Sequence, residues 1–122
     1  MYSIAVDFDG TLCEDNFPNI GQPKQDMIDL VKRAQKAGAK LVLWTCRRND
    51  SNGEHLNRAV DWCKNQGLTF DSVNENLPEV QKKWGGDTRK VMVDYYLDDK
   101  NIGYGSMEFL TNLVQKIESN KQ

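Results

Sequence analysis

Two aspartates stand one residue apart where an apolar run near the start of the chain ends. The stretch IAVDFDGTLC, at 4–13, contains Asp7 and Asp9, followed directly by Gly10 and Thr11. Alternate side chains of an extended strand point the same way, so the two carboxylates are expected on one side. Such charges repel each other unless a cation or a proton compensates them. The pair therefore indicates a metal site or acid–base chemistry, with an ordinary charged strand end as the alternative.

The rest of the chain alternates between apolar stretches that predict strands and amphipathic stretches that predict helices. Strands are predicted over residues 3–8, 40–45, 69–74 and 91–98. Helices are predicted from Pro23 to Gly38, across Leu56–Cys63 to near Gly67, from Pro78 to Trp84, and from Ser106 onwards. This alternation is typical of a three-layer, Rossmann-like α/β fold, with a parallel sheet of four to five strands between helices. The length suits one domain over 1–122, with a frayed tail at 119–122.

Polar side chains collect where the predicted strands end. The carboxyl ends of parallel strands meet at one edge of the sheet, which is where such folds bind ligands. The residues placed there are Asp7 and Asp9, Thr45 and Arg47, Asn74 and Asn76, and Asp98 and Asp99. Mg²⁺ prefers hard oxygen ligands and would compensate a cluster of carboxylates. We therefore expect a magnesium site at this edge.

The order of these residues resembles the motifs of the haloacid dehalogenase superfamily of phosphohydrolases. DFDGT at 7–11 is similar to its first motif, and LVLWT ends in Thr45, where the superfamily has a Ser or Thr. YLDD supplies the acidic pair Asp98 and Asp99 after the last strand. TCR at 45–47 also resembles the phosphatase domains of polynucleotide kinases, in which the arginine contacts phosphate. The likeness spans about residues 3–101.

The resemblance implies a magnesium-dependent phosphomonoesterase that works through an aspartyl-phosphate. Asp7 would attack phosphorus, and Asp9 would protonate the leaving oxygen and then activate water. Mg²⁺ would be held by the Asp7 carboxylate, the Asp9 backbone carbonyl and the 98–99 pair. The sequence does not decide which of Asp98 and Asp99 binds the metal directly.

The same resemblance assigns the phosphate contacts. Thr45 would hydrogen-bond the phosphoryl group, and Arg47 would clamp it with two hydrogen bonds. Gly10 and Thr11 would complete the substrate-binding loop, with the glycine permitting a tight turn.

The superfamily also uses a lysine to offset the phosphate charge, and we predict that it is Lys90. A strand extended over all of 91–98 would span about 26 Å, too far for Lys90 to reach the catalytic edge. Either this strand starts later, near Tyr95, or the lysine is Lys82 or Lys83.

The chain is expected to lack the cap domain of most relatives, because the segments after the first two strands are short. A site without a cap stays open to bulky substrates. The expected substrate class is therefore a nucleotide, a polynucleotide end or another bulky phosphoester. Two alternatives stay open: a metal- and phosphate-binding module without turnover, and phosphoryl transfer to an acceptor other than water.

The composition excludes several other classes. Sixteen basic and eighteen acidic residues give a net charge of −2, which provides no electrostatic case for binding a membrane or nucleic acid broadly. No apolar run approaches the roughly 18 residues of a membrane span, and no signal-peptide pattern is present, so we expect a cytoplasmic protein. Cys13, Cys46 and Cys63 predict neither disulfides nor zinc; Cys46 is expected to be buried, and His55 non-catalytic. A homo-oligomer stays open.

Overall fold

The computed structural model describes residues 2–101 and 106–120 as an α/β fold around a parallel sheet. The elements in chain order are β1 (Ser3–Val6), β2 (Cys13–Asn16), β3 (Asn19–Pro23), α1 (Gln25–Lys36), β4 (Lys40–Leu43), β5 (Asn49–Asp50), β6 (Gly53–Glu54), α2 (His55–Asn65), β7 (Ser72–Val73), α3 (Pro78–Trp84), β8 (Tyr95–Leu97) and α4 (Ser106–Asn120). The four-stranded sheet has the order β7-β4-β1-β8, with every neighbouring pair parallel. The predicted parallel α/β class is thus confirmed, with four strands in the described ranges.

Apolar side chains cover both faces of the sheet, which explains why its strands are nearly continuous in hydrophobic residues. The larger core packs α1, α2 and α4 against one face, through Ile28, Val31, Ala59, Cys63, Val114 and Ile117 among others. The smaller core packs Leu77 and Val91 against Ala5 and Val42 on the other face. Burying each large aliphatic side chain contributes about 1.5–3 kcal/mol, so the two cores fix the layers.

The last strand is much shorter than the predicted 91–98. Asp94 donates its backbone N–H to the Ser3 carbonyl at 3.1 Å, and the strand starts only at Tyr95. Val91 instead covers Ala5 on the sheet face. Val91 and Val93 are therefore apolar because they pack onto the sheet and not because they belong to it, whereas Met92 between them is exposed.

Two antiparallel hairpins fill the segments that were predicted to be loops or a helix start. β2 pairs with β3, and β5 pairs with β6. Pro23, which was expected to open the first helix, ends β3, and α1 begins at Gln25. The hairpins escape prediction because their residues are mostly polar and exposed, so they carry no alternating apolar pattern.

The strand order reverses beside β1, and this reversal positions the site. The chain passes from β1 to β4 and β7 on one side, and β8 then pairs with β1 on the other side. Open α/β sheets bind ligands at the crevice formed by such a reversal. Residues that follow β1 and β8 therefore meet at the crevice.

At the end of the chain, α4 continues through Asn120, so 119–120 are helical and the rest of the predicted tail lies outside the described residues. Among the residues described, no helix combines the length and apolar character needed to cross a membrane.

Candidate active site

Three carboxylates converge at the crevice between β1 and β8. Asp7, Asp98 and Asp99 each offer one oxygen, and these oxygens all lie within 4.8 Å of one another. The Asp7 backbone N–H donates to the Leu97 carbonyl at 2.9 Å, which continues the β1–β8 pairing and fixes the relative height of the carboxylates. A compact set of hard oxygen donors of this kind fits Mg²⁺. The predicted convergence of the first aspartate with the acidic pair is therefore found.

The electrostatics of this carboxylate cluster favour the binding of a proton or a cation. Burial, the charge of Asp98 and a hydrogen bond shared with Asp99 raise the pKa of Asp7 from 3.8 to about 7. Burial alone would raise the pKa of Asp99 too, but the hydrogen bond from Asp7 and the Lys100 charge lower it below its ordinary value. Asp7 is thus the carboxyl of this cluster that holds a proton most readily. A metal ion would take the place of that proton.

Thr11 and Gly10 hold the carboxylates together from within the protein. The buried Thr11 hydroxyl lies 3.0 Å from Asp7 Oδ2 and 3.4 Å from Asp99 Oδ1, and it accepts the Asp99 backbone N–H at 3.1 Å. Gly10 has a φ of +89°, and a Cβ there would stand 2.3 Å from Asp99 Oδ2. Its N–H already donates to the Cys13 carbonyl at 2.9 Å. These contacts give both residues a role in supporting the carboxylates, and their contact with a substrate stays a prediction.

Arg47 is engaged with the protein and not exposed to a ligand. Its guanidinium bonds Asp9 through Nε and Nη2, both at 2.8 Å, and the residue is only 2% exposed. The remaining donors reach the carbonyls of Asn19 at 3.0 Å, Pro18 at 3.3 Å and His55 at 3.4 Å. An arginine has five N–H donors, and these contacts occupy all of them. The predicted phosphate clamp is therefore not preformed in this structure.

The ion pair with Arg47 also determines which atoms of Asp9 could bind a metal ion. Both of its carboxylate oxygens face Arg47, so its side chain does not belong to the cluster of Asp7, Asp98 and Asp99. This agrees with the expectation that Asp9 would give a metal only its backbone carbonyl, which stays a prediction.

Thr45 presents a hydroxyl at the end of β4. Its backbone N–H donates to Asn74 Oδ1 at 2.8 Å, and its Oγ1 accepts the Arg47 N–H at 3.2 Å. Within residues 2–101 and 106–120, the hydroxyl proton of Thr45 has no acceptor, so it is available to a ligand. Asn74 has a φ of +54°, a conformation that asparagine tolerates better than most residues, and it also donates to the Arg47 carbonyl at 3.2 Å. Asn74 therefore positions the loop that carries Thr45.

Lys90 directly precedes Val91, which packs with Ala5 on one face of the sheet. Asp94 is level with Ser3 at the start of β1, and Val91 packs on Ala5, two residues further along the strand. The chain from Asp94 back to Val91 therefore runs toward the carboxyl end of β1, which Asp7 follows. The Lys90 ammonium stands 5.9 Å from the centre of the Tyr96 ring. Among the described residues it makes no ion pair with Asp7. The late strand start nevertheless removes the distance objection to Lys90.

The competing lysines lie at the end of α3. Lys82 and Lys83 are exposed in its last turn, and the Lys83 ammonium stands 5.3 Å from the centre of the Trp84 ring. This contact directs Lys83 along its own helix.

Sequence reasoning missed Lys24 and misplaced Cys46. The Lys24 ammonium donates to the Gly10 carbonyl at 2.8 Å, because the β2–β3 hairpin returns the chain to the loop after β1. An isolated lysine carries no signal for such a contact. Cys46 is exposed and not buried, because the chain has left β4 at Leu43 and the alternation of a strand no longer applies.

A likeness to a solved structure bears on the family of this chain. No family model matches it, and no curated protein matches it. Among solved structures, it is similar to a conserved protein coded by a locus from Bacteroides thetaiotaomicron. The two are 32% identical, the match covers 94% of this chain and 91% of that chain, and the TM-score is 0.78. Over nearly the full length of both, this identity shows that the chain belongs to the same family as that conserved Bacteroides thetaiotaomicron protein.

Proposed function

We propose that this protein is a magnesium-dependent phosphomonoesterase of the haloacid dehalogenase type, with Asp7 as its nucleophile. The observation that carries the proposal is the convergence of Asp7, Asp98 and Asp99 within 4.8 Å at the reversal of strand order. The DFDGT sequence at 7–11 and the hydroxyl of Thr45 add the remaining elements of the resemblance.

The carboxylates of Asp7, Asp98 and Asp99 would hold Mg²⁺. The raised pKa of Asp7 supports this fit, because burial and the neighbouring charge of Asp98 both disfavour an ionised Asp7 unless a cation compensates it. When bound, the ion neutralises the charge that develops on the transferring phosphoryl group.

The chain's own residues would carry out two displacements at phosphorus. In the first, an Asp7 oxygen forms a bond to phosphorus while the bond to the leaving oxygen breaks, and Asp9 gives that oxygen a proton. In the second, Asp9 takes a proton from water as the water oxygen bonds to phosphorus, and the bond to Asp7 breaks. The free hydroxyl of Thr45 would donate to a phosphoryl oxygen throughout.

Lys90 is the proposed lysine that offsets the phosphate charge. Its support is the direction of the chain from Asp94 back to Val91, which runs toward the carboxyl end of β1. Its contact with Tyr96 places it beside the strand that leads into Asp98.

The proposed substrate is a bulky phosphoester, such as a nucleotide or a polynucleotide end. The segments that follow β1 and β4 are occupied by the short β2–β3 and β5–β6 hairpins, which leave the carboxylate cluster partly exposed. Tight enclosure of a small substrate is therefore not expected. With Arg47 committed to Asp9, phosphate recognition falls to the cation, Thr45 and Lys90.

The direct test is phosphate release from an aryl phosphate with Mg²⁺ and with chelator. We expect Mg²⁺-dependent release that falls at least about 10³-fold in Asp7→Asn. The matched control is Asp61→Asn, which changes an exposed aspartate of α2 and should leave the rate unchanged. Release that is independent of Mg²⁺, or that survives Asp7→Asn, would overturn the proposal.

A screen of nucleotides, sugar phosphates and phosphorylated nucleic-acid ends then identifies the substrate class. A kcat/KM for nucleic-acid ends or nucleotides far above that for sugar phosphates is the expected result. Preference for a small sugar phosphate would contradict the open site.

A further inference from the structure

Arg47 differs from a typical ligand-binding arginine in its burial and in its fixed contacts with Asp9 and two aromatic rings. The Arg47 side chain is 1% exposed and the Asp9 side chain 18% exposed. The guanidinium packs against two aromatic rings, with its carbon 5.0 Å from the centre of Phe8 and 5.0 Å from that of Phe17. Phe8 comes from the loop after β1, and Phe17 from the turn of the β2–β3 hairpin. The arginine is thus buried against aromatic rings before any ligand arrives.

The hydrogen bonds of Arg47 fix the plane of the Asp9 carboxylate. Two parallel N–H donors meet its two oxygens at 2.8 Å each, which is the geometry of a strong bidentate pair. A carboxylate accepts about four hydrogen bonds, and among the described residues only Arg47 donates to the Asp9 oxygens, so positions on both of them stay available. Asp9 can therefore exchange a proton with a substrate while the arginine holds its orientation.

A phosphate contact by Arg47 would require this arrangement to come apart. The guanidinium would have to leave both oxygens of Asp9, the carbonyls of Pro18 and Asn19, and the two rings. Asp9 would then remain as a poorly exposed charge without its partner, which is unfavourable. The geometry therefore favours a role that acts through Asp9.

We propose that Arg47 is a positioning residue that orients Asp9 for proton transfer and does not bind the phosphoryl group. The proposal rests on the proposed phosphomonoesterase function, in which Asp9 protonates the leaving oxygen. It also links Asp9 to the β2–β3 hairpin, since the guanidinium joins Asp9 to the carbonyls of the hairpin turn.

The first test compares two phosphate esters in Arg47→Lys. A nitrophenyl ester has a leaving group that departs without a proton, whereas an alkyl ester needs one. Lysine keeps the charge and loses the two-point contact. We expect kcat for the alkyl ester to fall about 100-fold or more, kcat for the nitrophenyl ester to fall less than about 10-fold, and KM to change less than about 2-fold.

The ratio of the two rates separates positioning from simple loss of structure. Partial unfolding of Arg47→Lys would lower both rates by the same factor, and such equal losses would overturn the proposal. The matched control is Arg48→Lys, because Arg48 is the next residue, its side chain is 80% exposed and it pairs with Asp50 on the surface at 3.0 Å. Arg48→Lys should leave both rates and their ratio unchanged.

A second readout needs no turnover. Inorganic phosphate is titrated calorimetrically into the protein with Mg²⁺, for wild type and Arg47→Lys. Equal dissociation constants support a positioning role, and a weakening of more than about 10-fold, which is roughly 1.4 kcal/mol, would show that Arg47 binds phosphate and overturn it. A wild-type protein that hydrolyses neither ester would overturn the phosphomonoesterase proposal and this one together, whereas an active wild type with equal losses in Arg47→Lys overturns only this one.

Discussion

Asp7 should make the metal-free protein less stable as the pH rises. Burial, the charge of Asp98 and the hydrogen bond with Asp99 raise the pKa of Asp7 from 3.8 to about 7 in the folded state. Between these two values the unfolded chain ionises this carboxyl while the folded protein keeps it protonated. The unfolded state is therefore favoured progressively, so the contribution of Asp7 to stability is present below about pH 4 and lost as the pH rises through about 7.

The size of the effect follows from the shift and the exposure. A shift of about 3 units corresponds to about 4 kcal/mol if the group is fully shielded. Asp7 is only partly buried, so solvent screening reduces this to about 1–2 kcal/mol. For a domain of this size, that free energy corresponds to a change in Tm of about 3–8 °C.

The assay is thermal unfolding of wild type and Asp7→Asn in chelator, at a series of pH values from about 4 to 8. The stability advantage of Asp7→Asn should be near zero at about pH 4, grow up to about pH 7, and stay constant above it. Asp61→Asn, on the exposed side of α2, should show no such trend. Added Mg²⁺ at high pH should raise the Tm of wild type and have little effect on Asp7→Asn.

Two results would refute this reasoning. An advantage of Asp7→Asn that is already complete at about pH 4 would mean that packing, and not charge, causes it. A wild-type Tm that does not respond to Mg²⁺ at high pH would mean that the carboxylate cluster does not hold the ion.

Three further substitutions test other parts of the site. Thr11→Val should lower the free energy of unfolding by about 0.5–1.5 kcal/mol and weaken Mg²⁺ binding measured by calorimetry, because the partly buried Asp99 backbone N–H loses its acceptor. Unchanged Mg²⁺ affinity would contradict this role. Gly10→Ala should lower both Tm and Mg²⁺ affinity, because a Cβ would stand 2.3 Å from a carboxylate oxygen of the cluster; a variant with wild-type values would show that the loop moves freely. Lys90→Met should reduce kcat/KM for an aryl phosphate about 100-fold or more, whereas Lys83→Met should not; the reverse pattern would transfer the phosphate-facing role to the end of α3.

The sequence predicts the fold well because apolar side chains determine it. The runs at 3–8 and 40–45 contain the central strands, and the spacing of Met27, Leu30, Val31 and Ala34 identifies the buried face of α1. The run at 91–98 gives a wrong strand start, because the apolar residues at its beginning look the same in the sequence whether they lie in the sheet or cover it. Topology resolves that ambiguity, and periodicity alone does not.

The sequence also predicts that the carboxylates meet, but it does not predict which residues support them. Asp7 and the 98–99 pair follow from the rule that parallel strands share a carboxyl edge. The contact between Arg47 and Asp9 depends on the β2–β3 turn, whose carbonyls and Phe17 ring enclose the guanidinium. The residues of that hairpin show no apolar alternation, so the hairpin could not be predicted from the sequence. The burial of Arg47, which depends on the hairpin, could therefore not be predicted either.

The same limitation applies to Gly10 and Thr11. Their types suit a phosphate-binding turn and suit the support of neighbouring carboxylates equally well. The support of carboxylates is shown by the closeness of Asp99, which lies 88 residues further along the chain than Thr11. Only the folded chain shows that distance.

The most direct test of the central claim is to look for a phosphoryl group on Asp7. The protein is mixed with an aryl phosphate and Mg²⁺, quenched rapidly in acid, and digested for peptide mass spectrometry. We expect a phosphorylated peptide containing Asp7 that appears within the first turnover, requires Mg²⁺, and is absent from Asp7→Asn. Mg²⁺-dependent hydrolysis without any phosphoryl group on that peptide, at a rate that Asp7→Asn retains, would contradict Asp7 as the nucleophile.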